Sequence, residues 1–556
     1  MKTNYAKLGQ EAMARLEASC SRAAFVQQAL LEGLLRRNRD TVYGRKYGFN
    51  SIRSAEEYQK RVPVSSYRDY EAYILRMIDG EERVLTAERA AYYCISSGTT
   101  GEAKYVPLTE TDLNIQCIYA YSAVFGMVRE YYKDWPGDDI FGKIFQIGEF
   151  ARTCMKDGTM NGIRSGCIYQ WMDRDGGFDA SDYCAPKEVL FPDELEDLLY
   201  VKARFALAER GLRAIHGVFV NRVAGAMDYI RRNWDTLLRD METGGVDAGI
   251  PLSGRWRDFV KKSLPPDPQR ARELGRYSGE DLRRGMIQKI WPDVRYVLAI
   301  GGKTFPWFTE RMREYAGNIP IHSYAYAASE GIFGLAERMD GTDAYILLPE
   351  TGFFEFLPLE REAGGNRRPL FMWELRKGMR YELLFTSHSG LYRYEMGDVI
   401  EVSGFHGQAP VVRFCYRKHQ IVNIAGEKCN QEQLEAAVEE FARGAGLRIA
   451  GYSVQEDLSG ALPRYLFYIE YEGALAAGAE ERLDSCLCRA NFEYKGCRLM
   501  HEIGRPRISR LCAGSFRRYE ARLAAGGSMM GQHKGIRILD TEEKKQFFAS
   551  QQAAAL

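Results

Sequence analysis

At 556 residues the chain holds roughly three to four domain equivalents of about 150 residues each, which excludes a single small module. Hydrophobic residues make up 46% of it and charged residues 27%, and 76 lysines and arginines against 75 aspartates and glutamates leave a formal net charge of +1. That balance supplies no polybasic coat, no run of 18 apolar residues offers a membrane span, and Met1-Lys2-Thr3-Asn4-Tyr5 opens no secretory leader. The expectation is a cytoplasmic protein with neither nucleic acid nor membrane as a partner.

In chain order, the apolar positions from Ala23 through Leu30-Leu31 to Leu34-Leu35 recur at helical spacing and end in Arg36-Arg37, basic where a helix C-terminus prefers cations. From Asn38 a turn-rich stretch extends to about Arg89, and Ala90 to Ile95 is a short apolar run suited to a strand. It feeds Ser96-Ser97-Gly98-Thr99-Thr100-Gly101. Thr109 to Tyr131 reads as one long helix capped by Thr109 or Thr111, Ile140 to Ile147 as a strand, and 192–210 and 221–243 as helices. Val294 to Ile300, Trp307 to Ala316 and Ile319 to Tyr326 spell strand, helix and strand, a parallel α/β unit. Short β runs at 344–348, 353–357, 380–386 and 399–402 then make a β-rich subdomain. Past a charged crossover at Tyr416 to Gln420, helices at Gln431 to Ala442, Glu480 to Tyr494 and Phe516 to Leu523 accompany a strand at Tyr465 to Tyr471, an α+β pattern, and the tail from Ala549 reads as frayed. The expected organisation is a large domain at 1–416, a hinge at 417–426 and a small domain at 427–556.

The twelve cysteines run from Cys20 to Cys512 without a Cys-x-x-Cys. Their nearest pair, Cys486-x-Cys488, lies in a helix-like stretch where residues two apart diverge, so free thiols are expected rather than a metal site. The seven histidines include no His-Glu-x-x-His, and no Gly-x-Ser-x-Gly elbow is present.

Chemistry concentrates in three segments. Ser96-Ser97-Gly98-Thr99-Thr100-Gly101-Glu102-Ala103-Lys104 combines glycines that let backbone approach a ligand with hydroxyls and one ammonium, a kit suited to a polyphosphate; its spacing is not that of a Walker A loop. Tyr326-Ala327-Ala328-Ser329-Glu330-Gly331 places an aromatic, a hydroxyl and a carboxylate at a strand end, which suits a base and a divalent cation. In Tyr392-Arg393-Tyr394-Glu395-Met396-Gly397-Asp398, Gly397 is expected to permit a turn that presents Asp398 to a diol; an ordinary hairpin with a capping Asp is the plainer alternative.

In this order the segments resemble the signature of the adenylate-forming superfamily, and specifically of the auxin-responsive Gretchen Hagen family of acyl acid amido synthetases. The resemblance spans nearly the whole chain, through Asn38-Arg39-Asp40-Thr41-Val42-Tyr43-Gly44, Arg232-Asn233-Trp234, Ile290-Trp291-Pro292, Phe354-Glu355-Phe356-Leu357-Pro358 and Gly531-Gln532-His533-Lys534-Gly535. Family members usually read Ser-Ser-Gly-Thr-Ser and Tyr-Ala-Ser-Ser-Glu where this chain has Thr100 and Ala328. The first change keeps a hydroxyl and the second removes one.

The resemblance implies an α/β fold with a large N-terminal adenylate-forming domain, containing parallel sheets and the β-rich subdomain, and a small mobile α+β C-terminal domain. It implies that Ser96, Ser97, Gly98, Thr99, Thr100 and Gly101 cradle the phosphates of ATP with Lys104 adding charge. Tyr326 then packs on adenine, Ser329 bonds the α-phosphate region, Glu330 ligates Mg2+, and Asp398 and Arg417 hold the ribose. Lys428 faces the α-phosphate after the hinge, and Lys534 enters on the mobile domain to neutralise charge as the carboxylate attacks. Acyl choice falls to the helix after the phosphate loop, through Ile118, Tyr119, Tyr121, Val124 and Phe125, and to the loop at Gly301-Gly302; with no cation on that helix before Arg129, a neutral aromatic or apolar acid is expected. His322 lies near a strand end and is more simply a structural residue. The implied reaction joins a carboxylic acid to an amine, an amino acid above all, by way of an acyl-AMP, in a monomer or weak dimer. Its rivals are an acyl-CoA ligase with the same intermediate and a nucleotide-binding protein without catalysis.

Overall fold

The computed structural model describes residues 4–553 apart from 97–103, 138, 149, 152, 194–197, 302–305, 360–367, 418–420, 474, 517, 520–521 and 523–537. The chain divides into two compact units, one of Met1–Ile95 with Tyr105–Lys418 and one of Ser96–Lys104 with His419–Leu556.

The first unit opens with a helix that the sequence reading passed over, Tyr5–Cys20, which buries Tyr5, Gly9, Ala12, Leu16 and Ser19 at helical spacing. Gly9 is required there: a Cβ on it would lie 2.4 Å from the amide nitrogen of Gly126 in the helix Ala123–Tyr131. The next helix, Ala23–Asn38, follows expectation. The supposedly turn-rich stretch after it instead holds the helices Val42–Lys46, Ala55–Arg61 and Tyr67–Ile78. Each is entered through a hydroxyl residue, Thr41, Ser54 or Ser66, that serves as its N-cap.

Three sheets complete this unit, apart from Ser96 and Lys104 at two strand ends, which group with the second. A four-stranded sheet runs in the order Lys104–Thr109, Ala90–Ser96, Met160–Gly162, Thr153–Cys154. A second has Ile144–Gln146, Ala214–Phe219, Tyr296–Ile300 and Ile321–His322 side by side and all parallel, with every residue of Tyr296–Ile300 buried. The helices Val220–Arg232 and Pro306–Ala316 connect its strands, so the α/β unit stands as expected. The third sheet is antiparallel, in the order Leu370–Phe371, Gly352–Pro358, Arg380–Ser387, Tyr394–His406, Ala409–Arg417, Tyr345–Leu347, Gly331–Ala336, Ala325–Ala328. The single strand expected at Ile319 to Tyr326 is therefore two, and residues 323–324 carry the chain from the parallel sheet into the antiparallel one.

Two expected helices are also divided. Thr109 caps a helix as expected, its hydroxyl accepting from the amide of Asp112, but the run splits into Glu110–Gln116, a π-helical turn at Cys117–Ser122 and Ala123–Tyr131. The 221–243 run breaks at Asn233 into Val220–Arg232 and Trp234–Thr243, where the Asn233 amide and its side chain both donate to the Tyr229 carbonyl, at 3.0 and 2.9 Å.

The second unit pairs Arg448–Asp457 antiparallel with Arg464–Glu472, which Arg507–Arg510 joins in parallel. Helices Gln431–Ala445, Ala479–Ala490 and Phe492–Leu499 belong to the same unit. The break at Asn491 divides the expected 480–494 helix, because the Asn491 side chain caps the new helix by accepting from the Tyr494 amide. The expected 516–523 helix lies partly outside the described residues. The C-terminal tail is ordered further than expected: Glu542–Ser550 is helical and Gln552 pairs with Leu511. All twelve cysteines are free thiols, and among the described residues no helix is long and apolar enough to cross a membrane.

Candidate active site

The edge strand Ala325–Ala328 and its neighbour Gly331–Ala336 are joined by the two-residue turn Ser329-Glu330, which brings the sequence motif to one corner of the large sheet. Tyr326 is 8% exposed, and its ring is enclosed by Phe333, Tyr345 and Phe414 at centroid distances of 5.2, 6.1 and 6.1 Å. Its hydroxyl donates to Oδ2 of Asp398 at 2.8 Å. Two motifs 72 residues apart in sequence thus meet at one hydrogen bond. Asp398 is not on a turn. It lies inside the strand Tyr394–His406, and Gly397, at φ +70°, sits where the pairing with Arg380–Ser387 slips register. The glycine makes a β-bulge, which re-aims the following side chain without ending the strand. On the other side Asp398 is the register partner of Arg417, at the end of Ala409–Arg417.

Glu330 makes no ion pair with any described residue, and its partner in the turn, Ser329, gives its carbonyl to Nη1 of Arg164 at 3.0 Å. The second Nη of Arg164 is buried without a hydrogen-bond partner among the described residues. Sequence reading missed this arginine, because it stands alone at the start of the helix Arg164–Met172, 165 residues before the turn that it holds.

The acyl-side residues share less than expected. Tyr119 turns its hydroxyl to Glu350 at 2.7 Å, whereas Tyr121 packs on Phe125 at 5.0 Å and Tyr169 at 5.9 Å. Val124 and Phe125 are 5% and 3% exposed, with the Phe125 ring against Tyr5 at 4.4 Å, so both are core residues in this structure. Gly301 follows the strand Tyr296–Ile300 and donates its amide to Oγ of Ser323 at 3.3 Å. His322 is buried against Tyr131, ring centroids 4.7 Å apart, and burial lowers its pKa to about 4, which keeps it neutral.

Ser96, Lys104 and Lys428 belong to the second unit. Ser96 ends one strand and Lys104 begins the next. Lys428 holds a left-handed backbone at φ +46°, its amide donating to Oδ1 of Asn423 at 3.2 Å. Beside it, Glu427 is fully buried and accepts from the amides of Ile424 and Ala425, both at 2.7 Å, and from the Tyr465 hydroxyl at 2.7 Å. These bonds fold the loop 424–428 around one carboxyl group. Burial outweighs them and pushes the Glu427 pKa up to about 7. The folded chain then holds a proton that the unfolded chain releases near 4.5, so this carboxyl's contribution to stability is full below pH 4.5 and is lost as pH rises towards 7, on the order of 3 kcal/mol. Glu427→Gln is expected to flatten that decline, read as urea midpoints between pH 4.5 and 7.5.

Ser97, Gly98, Thr99, Thr100, Gly101, Gly302 and Lys534 lie outside the described residues.

Against known families, residues 12–321 match the GH3 family N-terminal domain, 345–417 the GH3 family central domain and 432–543 the GH3 family C-terminal domain. The chain belongs to the GH3 family. The family's three domains account for most of its length, in order. Among curated relatives, the jasmonoyl-L-amino acid synthetase GH3.5 of Oryza sativa subsp. japonica is 28% identical over 558 residues, 94% of this chain and 93% of the relative. The probable indole-3-acetic acid-amido synthetase GH3.12 of the same organism is 28% identical over 585 residues, 94% and 92% of the two chains. Among solved structures, the AtGH3.15 acyl acid amido synthetase in complex with 2,4-DB superposes with a TM-score of 0.67 at 22% identity, covering 100% of this chain and 98% of that one. That likeness establishes the mixed α/β fold with its separate C-terminal domain. In this GH3 chain the Tyr326–Asp398 contact falls across the junction of the N-terminal and central domain matches, just beyond the topological crossing at residues 323–324.

Proposed function

We propose that this GH3 chain is an acyl acid amido synthetase that uses ATP: a carboxylic acid and ATP give an acyl-adenylate and pyrophosphate, and an amino acid's amine then attacks the acyl carbonyl and releases AMP. Membership along the whole chain supports the ligase class, and the observation that carries the nucleotide reading is the hydrogen bond between Tyr326 and Asp398. It joins an aromatic ring and a buried carboxylate, groups suited to a base and a ribose diol, beside a turn bearing a hydroxyl and a carboxylate.

In this reading Asp398 and Arg417 orient the ribose, Tyr326 flanks adenine, and Ser329 with Ser96, Ser97, Gly98, Thr99, Thr100, Gly101 and Lys104 binds phosphate. Arg164, fixed to the Ser329 carbonyl, adds a positive charge near the same turn. Glu330 would hold Mg2+. The fit is sound, because Mg2+ is commonly bound by one or two carboxylates together with substrate phosphates, and no cluster of three ligating side chains exists among the described residues to hold it otherwise. When bound, the ion would supply charge neutralisation on the phosphates. The hinge at 417–426, within a domain arrangement of 1–416 and 427–556, would let Lys534 engage for adenylation and Lys428 afterwards. Tyr121, Val124, Phe125, Gly301 and Gly302 would border the acyl group, and a neutral aromatic or apolar acid suits them. The free thiols accord with a cytoplasmic setting, and the chain would act as a monomer or weak dimer.

Acid-dependent exchange of pyrophosphate into ATP over aromatic, indolic and aliphatic acids, repeated with each amino acid to detect amide and AMP, tests the reading. Exchange with a subset of acids and amide with particular amino acids are expected. Thioester formation with coenzyme A in place of amide would replace the second half-reaction, and absence of exchange with every acid would overturn the assignment.

A further inference from the structure

The hairpin that carries Lys428 is built around a carboxyl group that the proposed chemistry leaves unused. Ile421–Val422 pairs antiparallel with Cys429–Asn430, and residues 423–428 close the loop between them. Glu427 folds its side chain back into that loop. Its Oε1 accepts from the Ile424 amide and its Oε2 from the Ala425 amide, and Oε1 also accepts from the Tyr465 hydroxyl on the strand Arg464–Glu472, all at 2.7 Å. Glu427 and Tyr465 are both fully buried. Nδ2 of Asn491, at the start of the helix Phe492–Leu499, donates to the Glu427 carbonyl at 2.9 Å and to Oε1 of Gln433 at 3.0 Å. A strand and a helix start thus hold the same residue.

Cohesion alone gives so short a loop no reason to bury a carboxylate. Taking the charge out of water opposes folding unless donors surround it, and an apolar side chain in the same space avoids that cost. What the carboxylate supplies is direction. An ionised carboxyl only accepts, and three donors converge here on its two oxygens, which fixes the backbone path from Ile424 to Glu427. The next residue is Lys428, whose left-handed backbone at φ +46° brings its β-carbon close to a carbonyl oxygen. Such a conformation persists in a side-chain-bearing residue where the surrounding bonds over-determine it. The Lys428 amide is tied to Oδ1 of Asn423 at 3.2 Å, and the Val422–Cys429 pairing fixes the chain just after it. Lys428 therefore leaves a backbone pinned on both sides, with Glu427 as the pin before it.

We propose that Glu427 is a positioning residue for Lys428, its buried carboxylate setting the backbone that presents the Lys428 ammonium to the nucleotide's α-phosphate in the amide-forming step. The inference rests on the ligase reading above, in which Lys428 engages after the hinge. Glu427→Gln keeps the shape of the side chain but replaces one oxygen by an NH2 group, which faces an amide donor. One of the two loop bonds is then lost, and the backbone ahead of Lys428 is released.

The test uses the full chain at pH 8 and follows two half-reactions. Single-turnover, amino-acid-dependent AMP release from benzoyl-, indole-3-acetyl- and hexanoyl-adenylate, with a mixture of the proteinogenic amino acids, reports amide formation, and pyrophosphate exchange reports adenylation. Glu427→Gln is expected to lower AMP release about tenfold and exchange by less than about twofold. In a Lys428→Ala background it is expected to add less than about twofold to the loss already present, since the two residues act as one unit. Tyr465→Phe removes one donor from the same carboxylate and is expected to lower AMP release in the same sense, by less. A merely structural role lowers both half-reactions together, because Lys534, which serves adenylation, lies in the C-terminal domain of the same chain. Unchanged AMP release in Glu427→Gln, equal losses in both half-reactions for both variants, or a loss that persists undiminished in the Lys428→Ala background overturns the inference alone. No AMP release by the unaltered chain from any of the adenylates overturns it together with the ligase reading.

Discussion

Replacing Lys534 by alanine is expected to lower acid-dependent pyrophosphate exchange by two to three orders of magnitude, while attack of the amino acid on preformed acyl-adenylate falls less than about fivefold. The asymmetry follows from where charge moves. In adenylation a carboxylate oxygen joins an already anionic α-phosphate and pyrophosphate leaves, so negative charge accumulates at phosphorus and an ammonium directed there lowers the barrier. In the second step a neutral amine attacks a carbonyl and AMP departs as a stable anion, with far less need for that cation. Pyrophosphate exchange reports the first step, and single-turnover reaction of synthetic acyl-adenylate with amine reports the second. Lys534→Arg keeps the charge on a different fork and is expected to recover part of the exchange. Equal loss in both steps would remove Lys534 from the adenylation machinery.

The residues that sequence pattern conveyed best were those whose chemistry and periodicity are local. The buried strand Tyr296–Ile300 is a continuous apolar run, and Tyr326, Ser329 and Glu330 fall at a strand end as their spacing indicates. What was illegible depends on partners distant in sequence. The bulge at Gly397 looks like a turn until the strands on both sides of Tyr394–His406 are known. Arg164 carries no motif, and its meaning comes from a carbonyl at Ser329. The short helices between Val42 and Ile78 were hidden by their own caps, since serine and threonine mark turns and helix starts alike. The π turn at Cys117–Ser122 likewise breaks a hydrophobic pattern that otherwise runs unbroken from Leu113 to Val128, and so five apolar side chains that read as one face have separate neighbours.

Arg393→Ala is expected to destabilise the first unit by about 3–5 kcal/mol, the range for breaking a buried ion pair by removing one partner. The guanidinium and the Glu355 carboxylate are 5% and 1% exposed, with Nε 3.1 and 3.0 Å from the two carboxylate oxygens. Nη1 also donates to the carbonyls of Gln59 and Val62, at 2.8 and 2.5 Å, and Nε2 of Gln59 donates to Glu355 at 3.0 Å, so one arginine ties the helix Ala55–Arg61 to the large sheet. Burial raises the Glu355 pKa and Arg393 opposes that rise. Without the arginine the carboxyl rises further and is buried as a proton-holding acid. Its folded form then binds a proton that the unfolded chain releases, and the variant's deficit grows as pH increases. Urea unfolding is therefore expected to show a smaller loss at pH 5 than at pH 8. Arg393→Met with Glu355→Leu, which removes both charges and keeps volume, is expected to recover much of the stability. Because Arg393 stands five residues before Asp398, immediately ahead of the strand that carries it and in a backbone held at φ +49°, the double variant separates a stabilising from a positioning role. Recovered stability with lost pyrophosphate exchange would assign the ion pair to positioning Asp398, whereas recovery of both would make it a structural tie alone.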